Sequence, residues 1–518
     1  MQKTYAIFLF LFSALSVFGQ TDSLKLEVRN RQLYFTDSAV VSEYAFAKKS
    51  PVFLDLIPKQ ISQISLGHQF EKGGLKPAQG STKTNIAFLK SEGVTELAGI
   101  KLYGAFVYNK VVEDSTKFAH QTRNNTSTPY YLGSPANNHY ERSIYDFNAM
   151  GAKTLFSGHF IAGLGLEYHI ADHFSNNDPR GAIKEYQFNL KPTIAYRLSN
   201  KITLGVAYYL GYGQEKISVG YKNLAYVSNN LAPRYVNYLI NGYGEAEPRT
   251  DTKDRNYNDY QNRKGVEILF SLAATKIGSF YLEAIQTSED QNYDYRVSTG
   301  ITTLAHYQLD KQIINLFWKK NIGNGLATAT LGYQHLAGKD YNLRYLANNY
   351  LYDASCVDLN INYTFHRAKN KFNYTFTAKQ DDEKRIDGIT GNKIYYTNIA
   401  LKVGFGLNHD VDNFHSFGIN FNARHMLSLN SDLSVSTTNE SYFTREVIYF
   451  DYLYNTTSKW GGELSLNYSF PFFNAMQAGI QSNLGYLLRS ETQNLNRPTA
   501  LIPGKDRFYS NLSLNLYF

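Results

Sequence analysis

The chain has one cysteine, two tryptophans and little charge, with Asp, Glu, Lys and Arg making up 19% of its 518 residues. A lone Cys356 can close no disulfide within the chain and has no companion for a cysteine metal cluster, so it reads as a small strand residue. After residue 19 there is no run of about 18 apolar residues, which excludes a helical membrane span. The formal net charge of +8 comes from scattered Lys and Arg rather than a dense basic run, which argues against a nucleic-acid partner. The charged share also falls below the roughly 25% usual for soluble domains.

Rings are abundant instead: 43 Tyr and 33 Phe, in a chain whose mean hydropathy is still negative at -0.38. These facts agree if apolar residues alternate with small polar ones, because window averaging then hides half of a lipid-facing surface. In 185–198, Tyr186, Phe188, Leu190, Pro192, Ile194, Tyr196 and Leu198 share one face, against Glu185, Gln187, Asn189, Lys191, Thr193 and Arg197. Ser199-Asn200-Lys201 reverses the chain, and Ile202, Leu204, Val206, Tyr208, Leu210 and Tyr212 repeat the pattern. It recurs at 357–366 and 463–470. The polar face is Asn, Ser, Thr, Gln and Gly, which suits a hydrated lumen better than the Lys- and Glu-rich outside of a soluble sandwich.

Tight links near 92–95, 157, 199–201, 276, 321–325, 368–371, 410–413 and 471–474 alternate with long polar segments at 113–141, 222–262, 338–352 and 428–445. Short turns on one side and long loops on the other are expected of an outer-membrane barrel. With flanking strands at 60–70 and 505–518, the turns predict one all-β, antiparallel, up-and-down transmembrane barrel. It should have about eighteen strands, within bounds of about fourteen and eighteen. Lys3, the apolar stretch Ala6 to Leu15 and Val17-Phe18-Gly19 read as a signal peptide over 1–19, cleaved before Gln20. Residues 20–59 are too few for a domain and are expected as a periplasmic extension or a small lumen plug, with the barrel over 60–518. A plug domain of the size found in TonB-dependent receptors is thereby disfavoured.

Chemistry is sparse. Tyr and Arg in the loop 222–262, notably Arg234, Tyr235, Tyr238, Tyr243 and Arg249, are the residue types that anchor ligands or partner proteins, so an extracellular binding loop is expected there. Glu289, Asp290 and Asp294, and Asp381, Asp382 and Glu383, are carboxylate groups able to meet divalent ions or bridged lipopolysaccharide. His169 and His173 share a strand face opposite Asp172 but lack a third ligand, so no metal is assigned. No nucleophile, base and orienting group share a local signature, so neither catalysis nor a cofactor is expected. The closing "FYSNLSLNLYF" would be a hazardous free edge in water. In a barrel it is the last strand, with Leu514, Leu516 and Phe518 as an insertion signal.

Gln20 after the leader, the Tyr/Asn-rich alternation through 60–518, "NNDPRG" at 176–181 and the final "LNLYF" together resemble outer-membrane barrels of the Bacteroidota type. Within these the chain is similar to an uncharacterised family of about this size, often a companion of TonB-dependent uptake systems. That resemblance implies the outer membrane of a Gram-negative cell and contact with its lipid, lipopolysaccharide and insertion machinery. It also implies a TonB-dependent receptor or surface lipoprotein as partner. The expected function is passive passage or binding of a small solute, or an accessory part in uptake. The alternative is a non-conducting structural subunit that binds a partner.

Overall fold

The computed structural model describes residues 30–122, 127–227, 233–244, 246–249, 255–297, 300–412, 414–436, 440–473, 476–497 and 500–518. The leader expected at 1–19, and residues 20–29 after it, lie outside these. Eighteen strands form one closed antiparallel sheet, at the upper bound of the sequence expectation. They are β1 (Ile61–Gly73), β2 (Lys83–Leu97), β3 (Ile100–Thr116), β5 (Asn138–Leu155), β6 (Phe160–Ser175), β7 (Arg180–Arg197) and β8 (Ile202–Gly220). The next are β11 (Asn256–Thr275), β12 (Gly278–Val297), β13 (Gly300–Ile322), β14 (Gly325–Asn342), β15 (Tyr350–Arg367), β16 (Asn370–Asp387) and β17 (Lys393–Asp410). The sheet finishes with β18 (Ser416–Ser434), β19 (Lys459–Pro471), β20 (Gln477–Arg489) and β21 (Asp506–Tyr517). Three short strands, β4 (Tyr130–Gly133), β9 (Tyr238–Asn241) and β10 (Ala246–Pro248), belong to loops and make a separate small sheet.

Each wall strand pairs with its neighbour in sequence, and β1 pairs with β21 from Gln63–Tyr517 to Gly73–Arg507, so no edge is left open. The backbones of Ser62 and Phe518 exchange hydrogen bonds of 2.9 and 3.1 Å at this seam. The alternation sorts as the strand pleat requires: on β8, Leu204, Val206, Tyr208, Leu210 and Tyr212 are exposed outward, and on β7 Lys191, Thr193 and Ala195 are buried inward. On β21, Leu512 and Leu514 face out, while Ser513, Asn515 and Tyr517 face in.

The expected turn at 92–95 is corrected. Gly93 and Val94 lie inside β2, paired with Ser62 and Ile61, and the reversal comes at Ala98-Gly99, where φ is +51° and +72°. Within 92–99, those are the two residues that take the left-handed backbone a two-residue hairpin needs. The strands also run further than expected into the long segments: β11 begins at Asn256 and β18 reaches Ser434. Two links on the loop side are short, between Ser175 and Arg180 and between Val297 and Gly300.

Candidate functional site

The described N-terminal segment sits inside the barrel. Helix α1 (Ser38–Ala47) is capped by Asp37, whose carboxylate accepts from the N–H groups of Ala39 and Val40 at 3.1 and 3.3 Å. Its sequence, SAVVSEYAFA, has little polar face to offer water, as befits a helix enclosed by wall. Tyr44, Phe46, Val52, Phe53, Leu54 and Ile57 are buried against inward residues of the wall, among them Tyr103, Met150, Leu269, Tyr281 and Phe317. Phe46 stacks on Phe317 with centroids 5.1 Å apart.

Ionic and polar contacts ring this apolar seat. Lys48 meets Glu92 at 2.8 Å, Arg197 meets Asp55 at 3.1 Å, and Lys319 pairs with Glu43. Lys191 donates to the Lys49 carbonyl at 2.5 Å. Nearest the short turns, Gln32 donates to Ser469 at 2.6 Å, and Thr364 donates to the Asp37 carboxylate at 3.0 Å.

The other end is covered by loops. The β10-β9-β4 sheet packs with a second helix, α2 (Tyr449–Thr456), over inward-facing Tyr257, Tyr293, Tyr307 and Tyr350 of the wall. Polar groups tie it down: the Tyr243 N–H donates to Asp387 at 2.7 Å, and Asp451 on α2 accepts from the Ala78 N–H at 2.7 Å. Burial raises the Asp451 carboxyl to about 6 and lowers His120, in the loop before β4, to about 3.

Between these covers the lumen is open along one wall. A cavity of about 700 Å³ beneath the loops is lined by Cys356, Asp358, Asp381, Arg424 and Lys459. A second, of about 510 Å³, lies beside α1 against Asn360, Asn362, Asn373, Lys402, Asn420 and Asn422. Asp358 lines both, and Thr36 joins the lower one to a space of about 30 Å³ at Gln32, Asp37, Asn467 and Ser469. The three make a polar column down the inner face of β15–β19, narrowest at the Gln32 and Asp37 contacts.

Charges of both signs line this column, and those without an ion partner are separated by sign. Asp358 and Asp381 project from β15 and β16, where Lys379 pairs with Asp381 at 2.7 Å. Lys402 and Arg424 are cross-strand partners on β17 and β18. Arg424 lies over the Tyr509 ring, 5.3 Å from its centroid. Glycines shape that seat: a Cβ at Gly461 would come within 2.8 Å of Arg424 Nε, and one at Gly485 would collide with the Tyr509 ring.

The sequence-predicted residues do not converge. Arg234 is exposed and its carbonyl accepts from Ser134 at 2.8 Å, while Tyr235 stacks on Tyr226 at 4.1 Å. Tyr238 lies half-buried on β9; Tyr243 is buried in the loop core beneath Arg385. Arg249 pairs with Glu247 at 3.2 Å and covers the Tyr295 ring. The acidic runs are split by the pleat: Glu289 pairs with Arg263 inside the lumen, whereas Asp290 is exposed on the other face. Asp381 and Glu383 likewise share a face that Asp382 does not, and Asp382 accepts instead from Thr397 at 2.6 Å. His169 and His173 do meet a third group, Glu185, at 3.3 and 3.0 Å. Arg142 donates to His173 Nδ1 at 3.0 Å, so its Nε2–H is the one that donates to Glu185. This is a hydrogen-bonded relay; among the described residues no group of three His, Cys, Asp or Glu is arranged to hold a metal ion. Sequence reasoning missed Lys402 and Arg424, whose only signal was a cation at an inward position of an alternating strand.

The profile of a family described as "Family of unknown function (DUF6850)" matches residues 51–518. No curated protein matches the chain. Among solved structures, the siderophore receptor PiuA from Acinetobacter baumannii is 8% identical, covering 88% of this chain and 82% of its own, with a TM-score of 0.37. A FadL homologue from Pseudomonas aeruginosa is 11% identical over 91% and 93%, with a TM-score of 0.30. The unliganded ferric citrate transporter FecA is 10% identical over 89% and 79%, with a TM-score of 0.35. Likenesses of that size carry no weight for function, which has to be read from the barrel's own residues.

Proposed function

The chain belongs to this family of unknown function, DUF6850, and from its closed eighteen-stranded wall we propose a bacterial outer-membrane barrel that passes small polar solutes. The outward band of Leu, Val, Ile, Phe and Tyr supports the membrane placement, since an apolar surface that size has no other solvent. One observation carries the passage reading. Polar cavities follow one another along the inner face of β15–β19 from the loop cover to Gln32, adjoining at Asp358 and at Thr36, and the N-terminal segment borders the lower two. Passage is passive: Asn, Ser and Thr side chains replace part of the solute's hydration, and the segment acts as the gate. The reading includes no catalysis.

A second reading is favoured by the covers themselves. A barrel closed by loops above and by a tied segment below is also what a non-conducting subunit needs, one that holds a TonB-dependent receptor or a surface lipoprotein. Planar-bilayer recording separates the two. Passage predicts small or intermittent current for the full chain and larger, steady current for a chain lacking residues 20–59. No current in either form sinks passage and leaves the partner-binding reading.

A further inference from the structure

We infer that the cavity under the loops, where it adjoins the one beside α1 at Asp358, is a binding site for a small zwitterion of the short-peptide class, its anionic end on Arg424 and Lys402 and its cationic end on Asp358. This rests on the passage reading and names its solute. Among the described residues, Asp358, Lys402 and Arg424 form no ion pair with any protein group, although all three line the cavities. Other charges there are engaged: Asp381 with Lys379, Glu383 with Arg385, and Lys459 with the Tyr454 carbonyl at 2.5 Å. Glu463, inward on β19, accepts from Tyr509 at 3.4 Å and from Ser465 at 3.5 Å.

Geometry turns the free charges into a site. Asp358 is on β15 and Lys402 on β17, two strand spacings across the wall and, by register, two residues along it, about 12 Å between backbones. The Asp358 carboxylate lies toward Gly332 on β14, so the occupant is an extended molecule charged at both ends, met at its anionic end by the flexible Lys402 side chain. Cavities of about 700 and 510 Å³ fall in the size range of small-molecule sites. Arg424 lies over the Tyr509 ring, and Gly461 and Gly485 clear the space for both. An accessible guanidinium, planar by its own delocalisation, suits a carboxylate, which it can bind through two parallel hydrogen bonds.

Cys356 is the chain's single cysteine and lines the same cavity, so its modification reports occupancy without labels. Purified folded protein in detergent would be treated with N-ethylmaleimide in the presence of glycylglycine, succinate, putrescine or glucose. The site predicts that glycylglycine slows modification of Cys356 well beyond the other three. Arg424→Gln and Asp358→Asn should each raise the half-protecting concentration roughly ten-fold or more, as expected for loss of one charge-assisted contact. Both variants would be checked for the heat-shifted gel mobility of a folded barrel, and the comparison of solutes on the unaltered protein stands without them. Equal protection by all four solutes, protection by succinate alone, or a reachable Cys356 that none protects overturns the zwitterion site while leaving passage intact. A Cys356 beyond reach of the reagent, in the full chain and in one lacking residues 20–59, overturns both.

Discussion

Replacing Phe421 by Arg should cripple insertion, whereas replacing Asn422, the next residue on the same strand, should not. Phe421 is 55% exposed on the outer face of β18, between Phe405 and Leu464 on the adjoining strands. It lies five residues from Ser416. At about 3.3 Å per residue and a tilt near 40°, that puts it about 13 Å up an apolar band about 25 Å tall, close to the midplane. An Arg there costs about 2 to 4 kcal/mol, or about 30-fold to about 800-fold in the folding equilibrium. Asn422 faces the cavity beside α1, where a guanidinium stays in water, and the expected change is within about 0.5 kcal/mol. Folding from urea into phospholipid vesicles, followed by heat-shifted gel mobility, gives both numbers under one condition. Equal penalties, or a larger one at Asn422, would refute the assignment of a lipid face and a wet face to β18.

Three further outcomes are expected. Trp460 is 55% exposed on the outer wall, and Trp318, near the other rim, donates to the Ile277 carbonyl at 2.9 Å; with both rings at the membrane interfaces, brominated lipid should quench most of the emission. Unquenched emission would remove the membrane placement. Phe46→Ala takes away a ring only 2% exposed, stacked on Phe317. The lost seating, about 3 to 5 kcal/mol, should loosen the N-terminal segment and raise bilayer current toward that of its deletion. Asp451, raised by burial from 3.8 to about 6, holds its proton through that interval only while the loops are closed. Closure is therefore firmest below about pH 4 and weakens as pH rises through about 6, and Asp451→Asn should flatten the pH profile of limited proteolysis in the α2 loop.

The wall was legible in the sequence because its rule is local: lipid outside and water inside force a two-residue period, and Tyr186 to Leu198 obey it position by position. The turn after β2 was misplaced because Gly93 resembles a breaker, although in the sheet it is a strand glycine whose absent Cβ leaves room for Ser62. The site was much less legible. Tyr243 and Arg249 have the composition of a binding loop, yet the loops spend their rings on packing the barrel's mouth. Arg424 carries no motif; its meaning comes from Tyr509, eighty-five positions later, which reaches it only because β21 closes near β18.

The inward positions also explain how so short a segment can seat inside so wide a barrel. Toward the short turns, inward residues of β3, β5, β11, β12 and β13 are Tyr103, Met150, Leu269, Tyr281 and Phe317, and these receive Phe46, Phe53 and Leu54. Inward residues of β15–β18 are instead Asn360, Asn362, Asn373, Asn420 and Asn422, which α1 borders without filling the space. An apolar arc therefore fixes the segment to one side, where burial rewards it, and leaves the amide-lined arc to water. On the passage proposal, deleting the segment should therefore widen the space along that arc. Moving the apolar arc should move the path: Phe317→Asn with Tyr281→Asn would unseat the segment, whereas Asn420→Leu with Asn422→Leu would draw it across and lower the current. If the leucine pair left the current unchanged, the path would not run along β18.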